Sequence, residues 1–128
     1  MGMSQYLSRA LLNHLLGNGA YTVPTNRYVA LMTNVGGTEV SGNNYARVLC
    51  NSWSVATLAD PSVSTNSAVI TFPTPSGSWG TVTHFQLFDA LTGTTNALSD
   101  VETLTASKTI ASGDGVDFQT GQLAVTLT

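Results

Sequence analysis

Charge is what this sequence has least of. Only 9% of its 128 residues are Asp, Glu, Lys or Arg, against roughly 25% in typical soluble domains. Its four basic residues, Arg9, Arg27, Arg47 and Lys108, are scattered, and seven acids leave a net charge of −3. Such a chain has no basic stripe to track phosphates, which excludes nucleic acid as a partner. Cysteine is almost absent. The single Cys50 has no partner for an intramolecular disulfide, and in the strand-like run Tyr45–Cys50 it reads as a small buried hydrophobe. Long apolar runs are missing too, none approaching the ~20 residues that cross a bilayer. The opening Met1-Gly2-Met3-Ser4-Gln5 lacks the basic and apolar regions of a signal peptide. Tyr6 stands where a myristoylation signal needs Ser or Thr. The expectation is a chain made in a cytosol, with no membrane partner.

Catalytic constellations are also lacking. His14 and His84 have no second His or Cys at metal-ligand spacing, and no Gly-x-Ser-x-Gly elbow is present. Asp114-Gly115-Val116-Asp117 lacks the remaining oxygen ligands of a calcium loop. It reads instead as a hairpin turn, Asp-Gly being a favoured turn pair; Asp60-Pro61 is likewise a turn. Glu39 and Glu102 are the only glutamates. The sequence therefore predicts a non-enzyme, with no catalytic residue, cofactor, metal or small-molecule substrate.

What replaces charge is Ser and Thr, 13 and 19 residues respectively. Thr suits strands because a β-branched side chain packs well on a pleated surface. A surface poor in Lys and Glu suits packing against other subunits, since burying those residues costs desolvation and side-chain entropy. The length is that of one domain, and 42% apolar residues are enough for a core without disulfides.

The first residues differ from the rest. Ser4 caps a helix of about three turns in which Leu7, Ala10, Leu11, His14 and Leu15 recur at helical spacing. Leu12 and Leu16 widen its apolar face, which must dock on the domain or on a neighbouring subunit. Gly17-Asn18-Gly19 ends it. Strands follow at Tyr28–Thr33, Arg47–Val55, Ser67–Phe72, Gly80–Asp89, Ala97–Leu104, Lys108–Ile110, Val116–Phe118 and Gly121–Thr128. Tyr28–Thr33 is apolar enough to be buried on both faces. In the central strand, Phe85 and Leu87 fall on one face and Val82, His84 and Phe88 on the other. In the last, Leu123, Val125 and Leu127 point inward. Leu91–Asn96 is a turn. The predicted fold class is all-β: an antiparallel, jelly-roll-like β-sandwich of about seven or eight strands, preceded by one short N-terminal α-helix. Residues 1–128 form a single domain, with 1–19 the docking helix and 20–128 the sandwich.

A string of motifs runs through nearly the whole chain: Leu7–Leu16 before a Gly-rich break, Ala20-Tyr21-Thr22, Tyr28–Leu31, Gly37–Gly42 and Tyr45-Ala46-Arg47. It continues in Thr71-Phe72-Pro73, Ser78–His84, Leu87–Ala90, Lys108–Ile110, Ser112-Gly113-Asp114, Phe118 and the terminal Leu-Ala-Val-Thr-Leu. This pattern resembles a family of small virion proteins of tailed bacteriophages, commonly labelled tail fibre proteins; Phe85-Gln86 departs from it. The resemblance implies a non-enzymatic virion structural protein, assembled in the host cytoplasm. Similar β-rich proteins are capsid cement or decoration proteins, often trimers.

The chain has neither the repeats nor the heptads of a fibre shaft, and its Val35–Asn44 loop is modest. A low-charge sandwich with one docking helix fits a lattice clamp, so the expectation is a cement protein that binds the major capsid protein and itself, as a homotrimer. A tail fibre or baseplate component is the alternative. The residues expected at the interface are Tyr6, Arg9 and His14 on the helix and Glu39 and Asn43 in the loop. A carbohydrate-binding module is a further alternative, with Trp53, Trp79, Tyr21 and Tyr28 as the available rings.

Overall fold

The long strand that starts at Gly80 organises the molecule. In a computed structural model describing residues 3–56, 62–93 and 97–127, the elements run α1 (Gln5–Leu15), β1 (Tyr28–Met32), β2 (Val48–Leu49), β3 (Ser62–Thr65), β4 (Ile70–Thr71), β5 (Gly80–Phe88), β6 (Glu102–Ile110), β7 (Asp117–Phe118) and β8 (Ala124–Leu127). β5 and β1 form the centre of a four-stranded sheet of order β2-β1-β5-β6. Two short ladders, β3-β8 and β4-β7, complete the antiparallel β architecture. The Asp60-Pro61 turn and the end of the Leu91–Asn96 turn lie outside the described residues, as does the side chain of Leu127.

Alternation along β1 sorts its side chains between two cores. Val29 and Leu31 enter the main one with Phe85 and Leu87 of β5, Ile70 of β4, Phe118 of β7, and Leu123. Ala30 and Met32 meet Phe88 on the other side, covered by Ala97 and Val101. β1 is thus buried on both faces, as its unbroken apolar run predicts. Each large side chain removed from water contributes about 1.5–3 kcal/mol.

Five expectations need correction. Of the strand predicted over Ser67–Phe72 only Ile70–Thr71 pairs, with Asp117–Phe118. The strand predicted over Arg47–Val55 is only Val48–Leu49, because the chain leaves the sheet after pairing with Tyr28 and Val29. The separate Ala97–Leu104 and Lys108–Ile110 segments are replaced by one strand, β6. Its register slips against β5: Val82 faces Lys108 but His84 faces Thr103. That irregularity breaks the two-residue period, and Val82 joins Phe85 and Leu87 in the main core instead of the opposite face. Finally, the turn before β7 has its left-handed residue at Gly113 (φ 82°), not at Gly115. Asp114 N–H donates to Ala111 O at 3.2 Å, so Ser112-Gly113 is the central pair, with glycine at the position a type II turn reserves for it. β3, a Ser-Val-Ser-Thr run, was not expected from the sequence at all.

The last strand is tethered by a fully buried polar side chain. Asn66 donates from Nδ2 to Ala68 O and Gln119 O and accepts from Leu123 N–H through Oδ1, at 2.9–3.0 Å. With all three bonds made, its burial is tolerated. Asn66→Ala would leave the buried Leu123 N–H unbonded, and we expect a loss of about 2 kcal/mol or more, measured as a lower urea midpoint with unchanged slope.

Candidate functional site

Beyond Val29, β1 runs past the end of β2, and its backbone needs other partners on that side. The 33–47 segment supplies them. Val40 N–H donates to Leu31 O at 3.0 Å, and Leu31 N–H donates to the Tyr45 hydroxyl at 3.0 Å. That hydroxyl in turn donates to Glu39 Oε2 at 2.7 Å. Arg47 closes the network with two bonds to Glu39, Nε to Oε2 at 2.9 Å and Nη2 to Oε1 at 2.8 Å. It also donates to Ala90 O (2.9 Å) and Gly93 O (2.7 Å), and its guanidinium lies 3.8 Å from the centroid of the Phe88 ring. One buried arginine thus ties the loop, the end of β5 and the segment after it. The planar fork of Arg, always charged, is suited to this bidentate and stacked role.

The chain enters the network through two consecutive left-handed residues, Asn43 (φ 51°) and Asn44 (φ 70°), a conformation Asn tolerates better than most residues. Asn43 O accepts from Trp79 Nε1 at 2.9 Å and from Ser76 N–H at 3.0 Å, while Asn43 Nδ2 donates to Ser78 O at 3.0 Å. Asn44 Nδ2 donates to Thr74 O at 2.9 Å. Behind them the Tyr45 ring stacks on Phe72 (centroids 6.3 Å apart, 15°) and meets Trp79 edge-on (5.3 Å, 87°). Burial first, then the hydrogen bond to Glu39, raises the Tyr45 pKa far above its ordinary value. In front of the network lies a surface cleft of about 480 Å³, lined on one side by Glu39–Gly42 and Tyr45–Arg47 and on the other by Leu91–Gly93.

The helix forms a second location. Ser4 accepts from Leu7 N–H at 3.1 Å, as a cap should, and its hydroxyl also donates to Ala97 O. At the other end Asn18 N–H bonds Asn13 O and Gly17 N–H bonds His14 O, with Gly17 at φ 79°, a Schellman arrangement. Tyr6 and Leu7 pack on the main core. Leu12, Leu15 and Leu16 do not, and are 56%, 78% and 64% exposed. His14 Nδ1 accepts from Tyr21 N–H at 3.1 Å, which draws 19–22 against the helix and leaves a hollow of about 370 Å³ between them. Burial, then the Tyr6 phenol, then Asp89 raise the Tyr21 pKa, and Arg27 opposes them.

The five interface residues expected from sequence thus separate into two groups. Tyr6, Arg9 and His14 share the helix, with Arg9 and His14 exposed and Tyr6 half-buried. Glu39 and Asn43 belong to the loop, where both engage their polar atoms internally. Among the described residues no hydrogen bond or ion pair joins the two groups. Of the rings named for a sugar platform, Trp79 is buried and Trp53 is half-buried, with its Nε1 donating to Cys50 O at 2.9 Å. Cys50 itself is buried, and burial pushes its thiol pKa up.

Residues 2–126 match the model of the family described as Podophage GP4 fiber I protein gp80. The chain belongs to that family. A member of this fibre family is a phage virion protein, and its location is the virion. Between the two locations weighed from the sequence, the match favours the fibre over the capsid clamp. No curated protein matches the chain. For the gp80-family chain, the network residues that sequence reasoning did not single out are Tyr45 and Arg47. A signal was there: the one basic residue within ten positions of Glu39 stands two residues after a tyrosine, in a chain that otherwise avoids charge.

Two expectations follow from the network. Arg47→Met, which strands the Glu39 carboxylate, should cost about 3–5 kcal/mol, and Glu39→Leu added to it should restore much of that loss; a urea double-mutant cycle reads both. Because the Tyr45 pKa is raised in the folded state, its contribution is complete below the ordinary phenol pKa of 10.0 and declines as pH rises above it. The Tyr45 phenolate should therefore appear, by ultraviolet absorbance, only together with alkaline unfolding.

Proposed function

We propose that this chain is a small non-catalytic component of a podophage tail fibre, part of the apparatus that meets the host cell. The observation that carries the reading is the family match over residues 2–126. Physical features support it. The three largest polar side chains around the larger cleft are bonded within the fold, Glu39 to Tyr45 and Arg47, and Arg47 to Ala90 O and Gly93 O. Such a network stiffens the loop and engages the Glu39 carboxylate and the Tyr45 hydroxyl in holding β1. The low charge and the three exposed leucines of α1 fit a subunit that lives among other subunits.

Copy number in the virion tests the reading. Quantitative mass spectrometry of purified particles, scaled to the major capsid protein, should give a few to a few tens of copies. Antibody labelling seen by electron microscopy should fall on the tail. Hundreds of copies, near one per capsid subunit and spread over the head, would replace the fibre reading with the capsid clamp.

A further inference from the structure

We propose that the hollow between α1 and Gly19–Thr22 is a binding site for an uncharged saccharide. It is lined by Tyr6, Ala10 and Asn13 of the helix and by residues 19–22. Its volume of about 370 Å³ lies within the roughly 300–1,000 Å³ of small-ligand sites.

What distinguishes this hollow from the larger cleft is the state of its largest polar side chains. Around the cleft the Tyr45 hydroxyl, the Glu39 carboxylate and the Arg47 guanidinium are all bonded within the fold. In the hollow the Tyr6 hydroxyl, the Tyr21 hydroxyl and the Asn13 amide hold no hydrogen bond among the described residues. Two half-buried phenol rings beside an amide present apolar faces and free donors and acceptors together. That is the combination a pyranose needs, with C–H faces on one side and a rim of hydroxyls on the other.

The ligand is uncharged because the lining is. Among the described residues no Asp, Glu, Lys or Arg borders the hollow. The two charged side chains that act on the Tyr21 phenol, Asp89 and Arg27, are of opposite sign. The walls are also held in place without a ligand. Tyr6 packs on the main core, and the His14 ring fixes the Tyr21 backbone to the helix. Gly19 opens the rim: a Cβ built there meets nothing within 4 Å.

This inference does not rest on the fibre reading, and its test uses the full chain away from the virion. The chain is exposed to an immobilised panel of neutral mono- and oligosaccharides alongside sialylated and sulfated ones. Binding is then followed in solution by saturation-transfer NMR with the sugars that are retained. We expect retention on neutral sugars, with Tyr21→Ala weakening binding about tenfold or more. Gly19→Trp, which sets an indole at the rim from a position where neither space nor backbone conformation opposes a side chain, should weaken it at least as much. Leu91→Ala, at the other cleft, should bind as the unaltered chain does. Retention of no neutral sugar, retention of charged glycans alone, or binding indifferent to both substitutions would overturn the proposal. A head location found by copy number would leave it standing.

Discussion

One missing strand governs the structure. β1 is five residues long, but β2 opposes only two of them, and a buried strand cannot leave its remaining N–H and C=O groups unbonded. The Tyr45 hydroxyl takes the Leu31 N–H and the Val40 N–H takes the Leu31 carbonyl, so a loop does the work of a neighbouring strand. Everything around the loop follows from holding that hydroxyl in place. Glu39 orients it, Arg47 orients Glu39, and the Phe72 and Trp79 rings fix the tyrosine from behind.

A buried ion pair is weak evidence for stability, because desolvating both charges offsets much of their attraction. Here its value lies in geometry. An apolar replacement for Arg47 could fill the same space, but it could not at once bind Glu39, Ala90 O and Gly93 O. Those bonds set the position of the chain leaving β5 relative to the loop that closes β1. A sequence this poor in charge has few ways to specify such a meeting, and it places a charged pair where the ordinary ladder fails.

The elements most legible in the sequence are those whose pattern is local. The helix was readable from its Ser4 cap, leucine spacing and Gly17 stop, and β1, β5 and β8 from continuous or alternating apolar residues. What escaped depended on distant partners. β3 is Ser-Val-Ser-Thr, with no apolar alternation, and exists because β8 pairs with it. The run from Arg47 to Val55 carries strand-like residues, yet after Leu49 the chain leaves β1; Cys50 N–H bonds Arg27 O and Trp53 turns its Nε1 back to Cys50 O. The face of Val82 depended on a register slip that no residue on β5 announces. At the loop, Glu39 and Asn43 stood out as polar residues among glycines, but sequence alone could not show that their partners are Arg47, Tyr45, Ser78 and Trp79. Exposed polar residues and internally bonded ones look alike until the fold brings the partners in.

The same distinction orders the surface. A cleft whose largest polar side chains are bonded is a consequence of the fold, since its Arg47, Glu39 and Tyr45 hold β1 and the end of β5 together. A hollow bordered by unbonded ones has no such duty. The helix that forms its wall is joined to the domain by the Ser4 cap, by Tyr6 and Leu7 and by His14, while its outer leucines remain exposed. The network that closes the sheet and the large polar side chains with free hydrogen-bonding capacity therefore lie in different parts of the fold. With that separation, the side chains on the helix side share none of the hydrogen bonds that close the sheet among the described residues.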